Sequence, residues 1–159
     1  MRFLLPALAI AAMVALPAAA DVSMNPKTAP TGKYRVDPNH TLITFCVTHM
    51  GVSNYCGRFN KASGDAVFNG SQPEKSSLTV TIDTASVDTT SDKLDGLLRD
   101  QFFETAKFPT ATFKTTSIKV TGATTGEITG DLTLHGVTKP VTLKTAFTGG
   151  RPHMINSRY

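Results

Sequence analysis

The feature that most constrains this chain is an alternation of apolar and polar side chains with a period of two residues. Ile43, Phe45 and Val47 are separated by polar residues. The same alternation recurs at 78–83, 128–134 and 141–147. It buries one face of a sheet and leaves the other in water, which is typical of antiparallel strands. Threonine, which fits a pleated surface well, accounts for 24 of the 159 residues and occupies most of the polar positions. The sequence therefore predicts an all-β protein with about eight short antiparallel strands.

One segment breaks this pattern and predicts a helix. Ser91 can cap a helix N-terminus, and Asp92 in the first turn suits the helix dipole. The apolar residues that follow have the i, i+3, i+4, i+8 spacing of one helix face. They are Leu94, Leu97, Leu98 and Phe102. We expect this helix to end near Phe103, before Pro109.

A sheet with one apolar face must either cover that face or close on itself. One short helix is too small to cover eight strands, so closure into a β-barrel with the apolar face inside is the simpler solution. An eight-stranded barrel is either filled by its own side chains or holds one small apolar ligand. The predicted fold class is therefore an antiparallel β-barrel with one short helix, and a function could arise in its interior.

The first twenty residues have the composition of a cleaved secretory signal peptide. Arg2 provides the positive charge, residues 4–16 the apolar stretch, and three alanines before Asp21 the cleavage site. A membrane anchor is the alternative, but the apolar run is short and contains prolines. Residues 21–33, with two prolines and few large apolar side chains, are interpreted as a flexible N-terminal lead to a domain at 34–159. We therefore expect a periplasmic protein.

The charge balance excludes one class of partner. Sixteen Lys and Arg against 12 Asp and Glu give a formal net charge of +4. This excess is too mild to indicate a nucleic-acid-binding surface. We therefore expect no nucleic-acid partner.

The histidines are the main candidates for catalysis. The motifs HExxH, His-x-His, Cys-x-x-Cys and Gly-x-Ser-x-Gly are all absent, so no metal or nucleophile motif is complete. His40 and His49 could still meet in the folded chain, with Asp37 as an oxygen ligand. An alternative function therefore stays open, that of a His/Asp-dependent periplasmic enzyme assisted by a metal. The other interpretation is that these histidines form hydrogen bonds at strand ends.

The two cysteines can pair across a hairpin. If Gly51 centres a turn, Cys46 and Cys56 each lie five residues from it and face each other. In an oxidising compartment, this arrangement favours a cross-strand disulfide. Two free thiols or a redox pair are the alternatives.

Eight aromatic residues fall on predicted strands or around the helix. They are Phe45, Tyr55, Phe59, Phe68, Phe102, Phe103, Phe108 and Phe113. Together they could simply fill the barrel. Equally, they could line a cavity that holds a long apolar molecule by burial of its surface, at about 25 cal/mol per Å². Composition does not decide between the two.

Several short motifs, in order along the chain, resemble the YceI-like domain family. The first runs over 34–41 (YRVDPNHT) and continues with Phe45, His49 and 57–59 (GRF). The others are 84–89 (TASVDT), 102–103 (FF), 107–113 (KFPTATF) and 130–141 (GDLTLHGVTKPV). Each motif is weak alone, but together they extend over 34–154 and are specific.

The resemblance implies a lipocalin-like antiparallel β-barrel around a polyisoprenoid lipid, such as an isoprenoid quinone or a polyprenyl lipid. It implies no enzymatic activity, cofactor or metal. Residues on motif positions are then candidates for lining the tunnel or its mouth: His40, Phe45, His49, Phe59, Phe103, Phe108 and Phe113. Such a protein would carry or store the lipid and contact a membrane transiently to exchange it.

Two departures from the family pattern stand out. The family often carries Arg-Asp-x-His-Leu in the helix, whereas here only Asp95 and Leu98 match, and Arg99 is the candidate to replace the missing Arg or His. The family also continues beyond the segment near residue 154 with two more strands. The resemblance therefore predicts a C-terminally shortened, incomplete barrel, for which a homodimer is one way to supply the missing strands.

Overall fold

The structure, a computed structural model, describes residues 22–151, and the predicted signal peptide at 1–20 lies outside this range. The strands of the described residues are β1 Gly32–Arg35, β2 Ile43–His49, β3 Ser53–Phe59, β4 Ala62–Phe68, β5 Ser77–Asp83, β6 Val87–Asp88, β7 Thr110–Val120, β8 Thr125–Leu134 and β9 Val137–Ala146. Short 3₁₀ turns occur at Pro26–Thr28, Pro73–Lys75 and Thr84–Ser86.

The strands form two antiparallel sheets. Six strands pair in the order β1-β4-β5-β7-β8-β9, and three pair in the order β2-β3-β6. The prediction of an all-β antiparallel fold of the lipocalin-like type, with one short helix, is therefore confirmed. Within residues 22–151 the barrel is not closed, because β1 and β9 each have a single partner strand.

The two sheets are connected by a bend in the chain. β3 passes into β4 through Asn60 and Lys61, and β5 passes into β6 through the turn at Thr84–Ser86. The two connections are hydrogen-bonded to each other. The Asn60 amide donates to the Ser86 carbonyl at 3.0 Å, and the Asp83 amide donates to the Lys61 carbonyl at 3.1 Å. The sheets are thus two parts of one bent β-structure.

The core lies at this bend. The buried apolar side chains of the two sheets are Phe59, Val87, Ala111 and Phe113, all of which are near the bend in their own strands. Thr84, in the bend itself, is 1% exposed, and its hydroxyl donates to the Phe108 carbonyl at 2.7 Å. Further from the bend, most of the apolar face is only half-buried within the described residues.

The opposite face of the six-stranded sheet is polar, as the alternation predicts. Threonine hydroxyls pair across its strands, with Thr129 bonded to Thr142 at 2.9 Å and Thr133 bonded to Thr138 at 2.8 Å. Cross-strand pairs of this kind stabilise a sheet. The threonines therefore lie on the side that faces away from the apolar core.

The predicted helix is present but short. α1 spans Asp92–Leu97, and the Oγ of Ser91 accepts a hydrogen bond from the Leu94 amide at 3.4 Å. The chain then widens into a π-helical turn, Leu98–Phe102, which ends where the sequence predicts. Phe102 is exposed, because the wider turn rotates it away from the face that holds Leu94 and Leu98. None of the helices between residues 22 and 151 is both long and apolar enough to span a membrane.

Residues 22–33, predicted to be a flexible lead, make specific contacts. Asn25 caps the turn at Pro26–Thr28 by accepting a hydrogen bond from the Lys27 amide at 3.0 Å. Ser23 and Gly150 exchange two backbone hydrogen bonds of 2.7 and 2.9 Å. The lead therefore lies against the end of β9, while the domain boundary at residue 33 stays a prediction.

Candidate functional site

The apolar face of the six-stranded sheet is the main candidate for a ligand surface, and we call it the inner wall. Strand pairing defines its rows: Gly64, Val80, Phe113 and Leu132 in one, Ala62, Ile82, Ala111 and Leu134 in the next, and Ala66 beside Leu78 on the other side. Phe113, one of the predicted site residues, is 6% exposed. It lies where the wall meets the bend.

Lys139 is a charged exception on the inner wall. It pairs with Leu132, so it shares the face that carries Phe113. It lies on β9, an edge strand within the described residues. Inward-pointing charges at an edge discourage pairing with another chain, and the long stem of lysine lets its ammonium group reach water.

Three predicted site residues form an aromatic cluster on the three-stranded sheet. The rings of Phe45 and Phe59 lie 5.5 Å apart, measured between centroids. Phe103, which follows the helical segment, lies 5.5 Å from Phe59. Val87 is paired with Phe59 and is buried. The structure therefore brings Phe45, Phe59 and Phe103 together next to the bend.

Two of the predicted site rings, Phe45 and Phe113, lie over glycines whose role the sequence interpretation missed. A Cβ added at Gly57 would lie 2.8 Å from Cζ of Phe45, and one added at Gly130 would lie 2.5 Å from Cζ of Phe113. Glycine in a strand often marks such a close approach. The available signal was a glycine at an inward-facing position of an alternating strand, which for Gly57 lies directly opposite Phe45.

Phe108 lies apart from the aromatic cluster, at the turn between β8 and β9. Its ring lies 4.4 Å from that of His135, measured between centroids, and the Nζ of Lys107 is 5.0 Å from its ring centroid. His135 Nε2 is 2.6 Å from a carboxylate oxygen of Glu104. These contacts tie the loop after the helix to the β8–β9 turn. Phe108 is therefore placed to pack this loop rather than to face the wall.

The two candidate histidines are both exposed and lie in different settings. His40 Nδ1 is 2.7 Å from Asp37 Oδ2 in the loop before β2, and this hydrogen bond is the main cause that lowers the pKa of Asp37. His49 ends β2 on the same face as Phe45. Among residues 22–151, no three His, Cys, Asp or Glu side chains are grouped closely enough to hold a metal ion. The expected metal-binding arrangement of His40, His49 and Asp37 is therefore wrong: His40 is hydrogen-bonded to Asp37 within its own turn, and His49 lies at the far end of β2.

Asp95 has a structural role that sequence reasoning did not assign. It is 7% exposed, and one carboxylate oxygen accepts hydrogen bonds from the Thr89 amide at 2.8 Å and the Thr89 hydroxyl at 2.6 Å. Arg99, proposed as a replacement for a missing polar residue, is 3.5 Å from the Val87 carbonyl. Asp95 therefore fixes the helix to the end of β6 and so positions Phe103. Its match to the family motif was the one available signal.

The outer face of the three-stranded sheet holds the two cysteines. Cys46 and Cys56 pair in register and are joined by a disulfide. Nearby, Asp88 accepts hydrogen bonds from Asn60 at 3.0 Å and from Arg58 at 2.8 Å. Hydrogen bonds from the side-chain amide of Asn60, the Thr90 backbone N–H and Arg58 together lower the pKa of Asp88 to about 2. These contacts hold β2 and β6 on either side of β3.

Comparison with known proteins gives a consistent match. A family model described as the YceI-like domain matches residues 34–157. A UPF0312 protein of Ectopseudomonas mendocina is 42% identical over 119 residues, which are 73% of this chain and 62% of the relative. A UPF0312 protein of Vibrio parahaemolyticus is 38% identical over 127 residues, which are 78% of this chain and 67% of the relative.

Solved structures agree with the sequence matches. BcnA of Burkholderia cenocepacia is 26% identical, with a TM-score of 0.64 and 69% of each chain covered. The YCEI protein of Campylobacter jejuni is 33% identical, with a TM-score of 0.54, and the match covers 70% of this chain and 66% of that one. The matched region thus spans about three fifths of the first curated relative. Because the family model covers most of its length, this chain belongs to the YceI-like domain family.

Proposed function

We propose that this protein binds a polyisoprenoid lipid, of the isoprenoid quinone or polyprenyl type, and carries or stores it in the periplasm without catalysis. The observation that carries this proposal is the inner wall, which adjoins the aromatic cluster of Phe45, Phe59 and Phe103 at the bend. A lipid lying along both would be held by burial of apolar surface, at about 25 cal/mol per Å².

The shape of the apolar surface suits a long ligand better than a compact one. β3 and β4 follow each other from Ser53 to Phe68, a path of up to roughly 50 Å at 3.3 Å per residue. Val80 and Leu132 on the wall are only half-buried, so a chain laid against them would cover apolar surface that the described residues leave open. Polar groups that could orient a ligand are few along this path.

Family membership supports the ligand class, since the resemblance to YceI-like domains implies a lipocalin-like barrel that encloses a polyisoprenoid chain. The periplasmic location is supported by the predicted signal peptide at 1–20. The Cys46–Cys56 disulfide is also consistent with it, because disulfides persist in oxidising compartments. No observation favours the alternative of a His/Asp-dependent enzyme, because the Asp37–His40 pair is exposed and separate from the wall.

Two neighbouring residues on β4 provide a matched test. Ala66 faces the inner wall and Val67 faces outward, so tryptophan at each position adds the same bulk to opposite sides of one strand. We expect Ala66→Trp to block binding of a long-chain ubiquinone and of a polyprenol, both presented in detergent micelles. We expect Val67→Trp to bind like the wild type. Mass spectrometry of lipid extracted from each purified protein gives a second readout.

Folding and catalysis need separate controls in this test. Circular dichroism checks that Ala66→Trp is folded, and Ala66→Leu provides a smaller step in the same direction. His40→Ala should leave lipid binding unchanged, because His40 is exposed and its ring is hydrogen-bonded to Asp37 of its own loop. Equal binding by Ala66→Trp and Val67→Trp, or repeated recovery of folded protein without isoprenoid from lipid-rich cells, would contradict the proposal.

A further inference from the structure

The turn between β2 and β3 contains an unusual residue for its backbone conformation. Met50 and Gly51 have φ angles of +51° and +74°, in the left-handed region that favours glycine and asparagine. The turn is closed by a hydrogen bond from the Val52 amide to the His49 carbonyl at 3.1 Å. Asparagine in place of Met50 would suit this turn better. The backbone conformation of the turn therefore does not explain why residue 50 is a methionine.

Two large apolar side chains project from this turn into solvent. Met50 is 83% exposed and Val52 is 85% exposed. We call Met50, Gly51 and Val52 the hairpin tip. The surrounding segment 48–54 contains no Asp, Glu, Lys or Arg, and its one ionisable side chain is that of His49. The tip thus combines exposed apolar groups with the absence of any acidic group.

The hairpin tip lies beyond the paired residues of this sheet. The last paired residues of the hairpin are His49 and Ser53, and a strand added along the edge of β2 would pair with residues up to His49. Met50 and Val52 lie beyond that limit. Strand pairing along β2 would therefore not itself involve Met50 or Val52.

We propose that the hairpin tip docks the protein on a lipid bilayer by inserting Met50 and Val52 among the lipid chains. This inference rests on the proposed function, because a protein that takes up a membrane lipid must meet the membrane that contains it. Apolar side chains flanked by polar backbone suit the boundary between headgroups and acyl chains. The lack of acidic groups makes the tip compatible with anionic phospholipids.

The tip is also continuous with the candidate ligand surface. On the inward side of the hairpin, Val47 pairs with Tyr55, and Phe45 pairs with Gly57. These pairs lead from the tip to Phe59 in the aromatic cluster. A lipid chain leaving a bilayer at the tip would thus pass the polar pair of His49 and Ser53 and then meet the apolar side chains further along the inward face of the hairpin. The docking site and the proposed entry for the ligand are one surface.

The absence of tryptophan from the chain permits a direct test. Val52→Trp places one fluorophore at the tip, and Val67→Trp places one on the outer face of β4 as a control. Both proteins are mixed with phosphatidylcholine–phosphatidylglycerol vesicles that contain no isoprenoid. We expect a blue shift and quenching by brominated phospholipid for Val52→Trp and neither change for Val67→Trp. Absence of both changes at residue 52 would overturn the proposal.

Loss-of-binding variants complete the test. Met50→Asn introduces a residue that tolerates positive φ, so the hairpin should remain at least as stable as in the wild type. The double variant Met50→Asn/Val52→Thr should bind vesicles about tenfold more weakly or worse, because it removes two apolar side chains that would insert into the bilayer. Val67→Thr is the matched control and should bind vesicles normally. Unchanged vesicle binding by the folded double variant would also overturn the proposal.

The two proposals can fail independently. If the tip inserts into vesicles but no isoprenoid binds in micelles, the docking site stands and the ligand assignment fails. If isoprenoid binds in micelles and Val52→Trp does not respond to vesicles, the ligand assignment stands and the docking site fails.

Discussion

The two sheets of this protein are held together in different ways. In the six-stranded sheet, β7 pairs with β5 over five residue pairs and with β8 over eight, and β8 pairs with β9 over ten. In the three-stranded sheet, β2 pairs with β3 over seven residue pairs, but β3 meets β6 through just two. The first sheet depends on many equivalent contacts, and the second depends on a few particular ones.

The particular contacts of the small sheet lie on both of its faces. A disulfide joins β2 to β3 on the outer face, while Phe45 and Phe59 pack on the inner face. A two-stranded hairpin is marginally stable by itself, so these additions decide whether β2 stays in place. We therefore expect the small sheet to loosen more readily than the large one. Such a division would let the proposed ligand enter beside a stable wall.

The largest expected effect is that of filling the glycine positions under the aromatic rings. Gly130→Ala should cost about 3 kcal/mol in free energy of unfolding, as overpacking in a closely packed site does. The added Cβ would lie 2.5 Å from the Lys114 carbonyl oxygen, which is backbone and cannot rotate away. Gly57→Ala should cost only about 1 kcal/mol, because its nearest neighbours are the side chains of Phe45 and Thr89. Urea unfolding measures both.

The control for the glycine pair is Gly32→Ala. Gly32 lies in β1 and has no atom within 4 Å of an added Cβ, so alanine there should be neutral or slightly stabilising. Equal losses of unfolding free energy for Gly130→Ala and Gly57→Ala would show that the small sheet is packed as rigidly as the large one and would contradict the expected difference between the two sheets.

The disulfide should have a somewhat smaller effect than Gly130→Ala, and one that is confined to one region. Replacing Cys46 and Cys56 together by serine opens a short covalent loop and should lower the free energy of unfolding by about 2–3 kcal/mol. Hydrogen exchange should show faster exchange in β2, while amides of β7 and β8 stay protected until global unfolding.

A matched substitution on the same face controls for this change. Thr44→Ser alters a neighbouring outward residue of β2 and should leave exchange in the hairpin as in the wild type. If the double serine variant instead lost protection evenly across β2, β7 and β8, the two sheets would have to unfold as one unit.

Much of the fold could be predicted from the sequence because alternation reports directly which face a residue occupies. The strand pattern, the helix start at Ser91 and the register of Cys46 with Cys56 all depend on local spacing. The π-helical turn at Leu98–Phe102 and the bend at Asn60 and Lys61 do not follow from local spacing. They depend on packing between distant segments, which has no local period.

The site was less predictable than the fold, because membership of a motif does not reveal where a side chain points. Phe45, Phe59 and Phe103 lie together, whereas Phe108 packs on the turn at His135. His40 and Phe108 stand in equally recognisable motifs, yet neither is on the wall. Asp95 shows the reverse case, since nothing in the spacing of the helix indicated that this carboxylate would be buried and hydrogen-bonded to Thr89.

The smallest expected effect concerns Asp88, which joins β6 to β3 on the outer face. Its pKa is about 2, below the ordinary 3.8, because the Asn60 amide, the Thr90 backbone N–H and Arg58 favour the charged form. A pKa that is lower in the folded state stabilises the fold above the ordinary value, and this contribution is lost as pH falls from about 4 to about 2. Acid should therefore expose β6 amides to exchange before those of β7 and β8.

Titration of the Asp88 carboxyl by NMR tests this directly. Asn60→Ala should raise the pKa of Asp88 toward its ordinary value, because it removes the largest cause of the shift. Asn54→Ala, on the same outer face of β3 but without a contact to Asp88, should leave the pKa at about 2. A pKa that stays low in Asn60→Ala would assign the shift to Arg58 and Thr90 instead. Simultaneous exchange of β6 and β7 in acid would mean that the few contacts of the small sheet are as strong as the many of the large one.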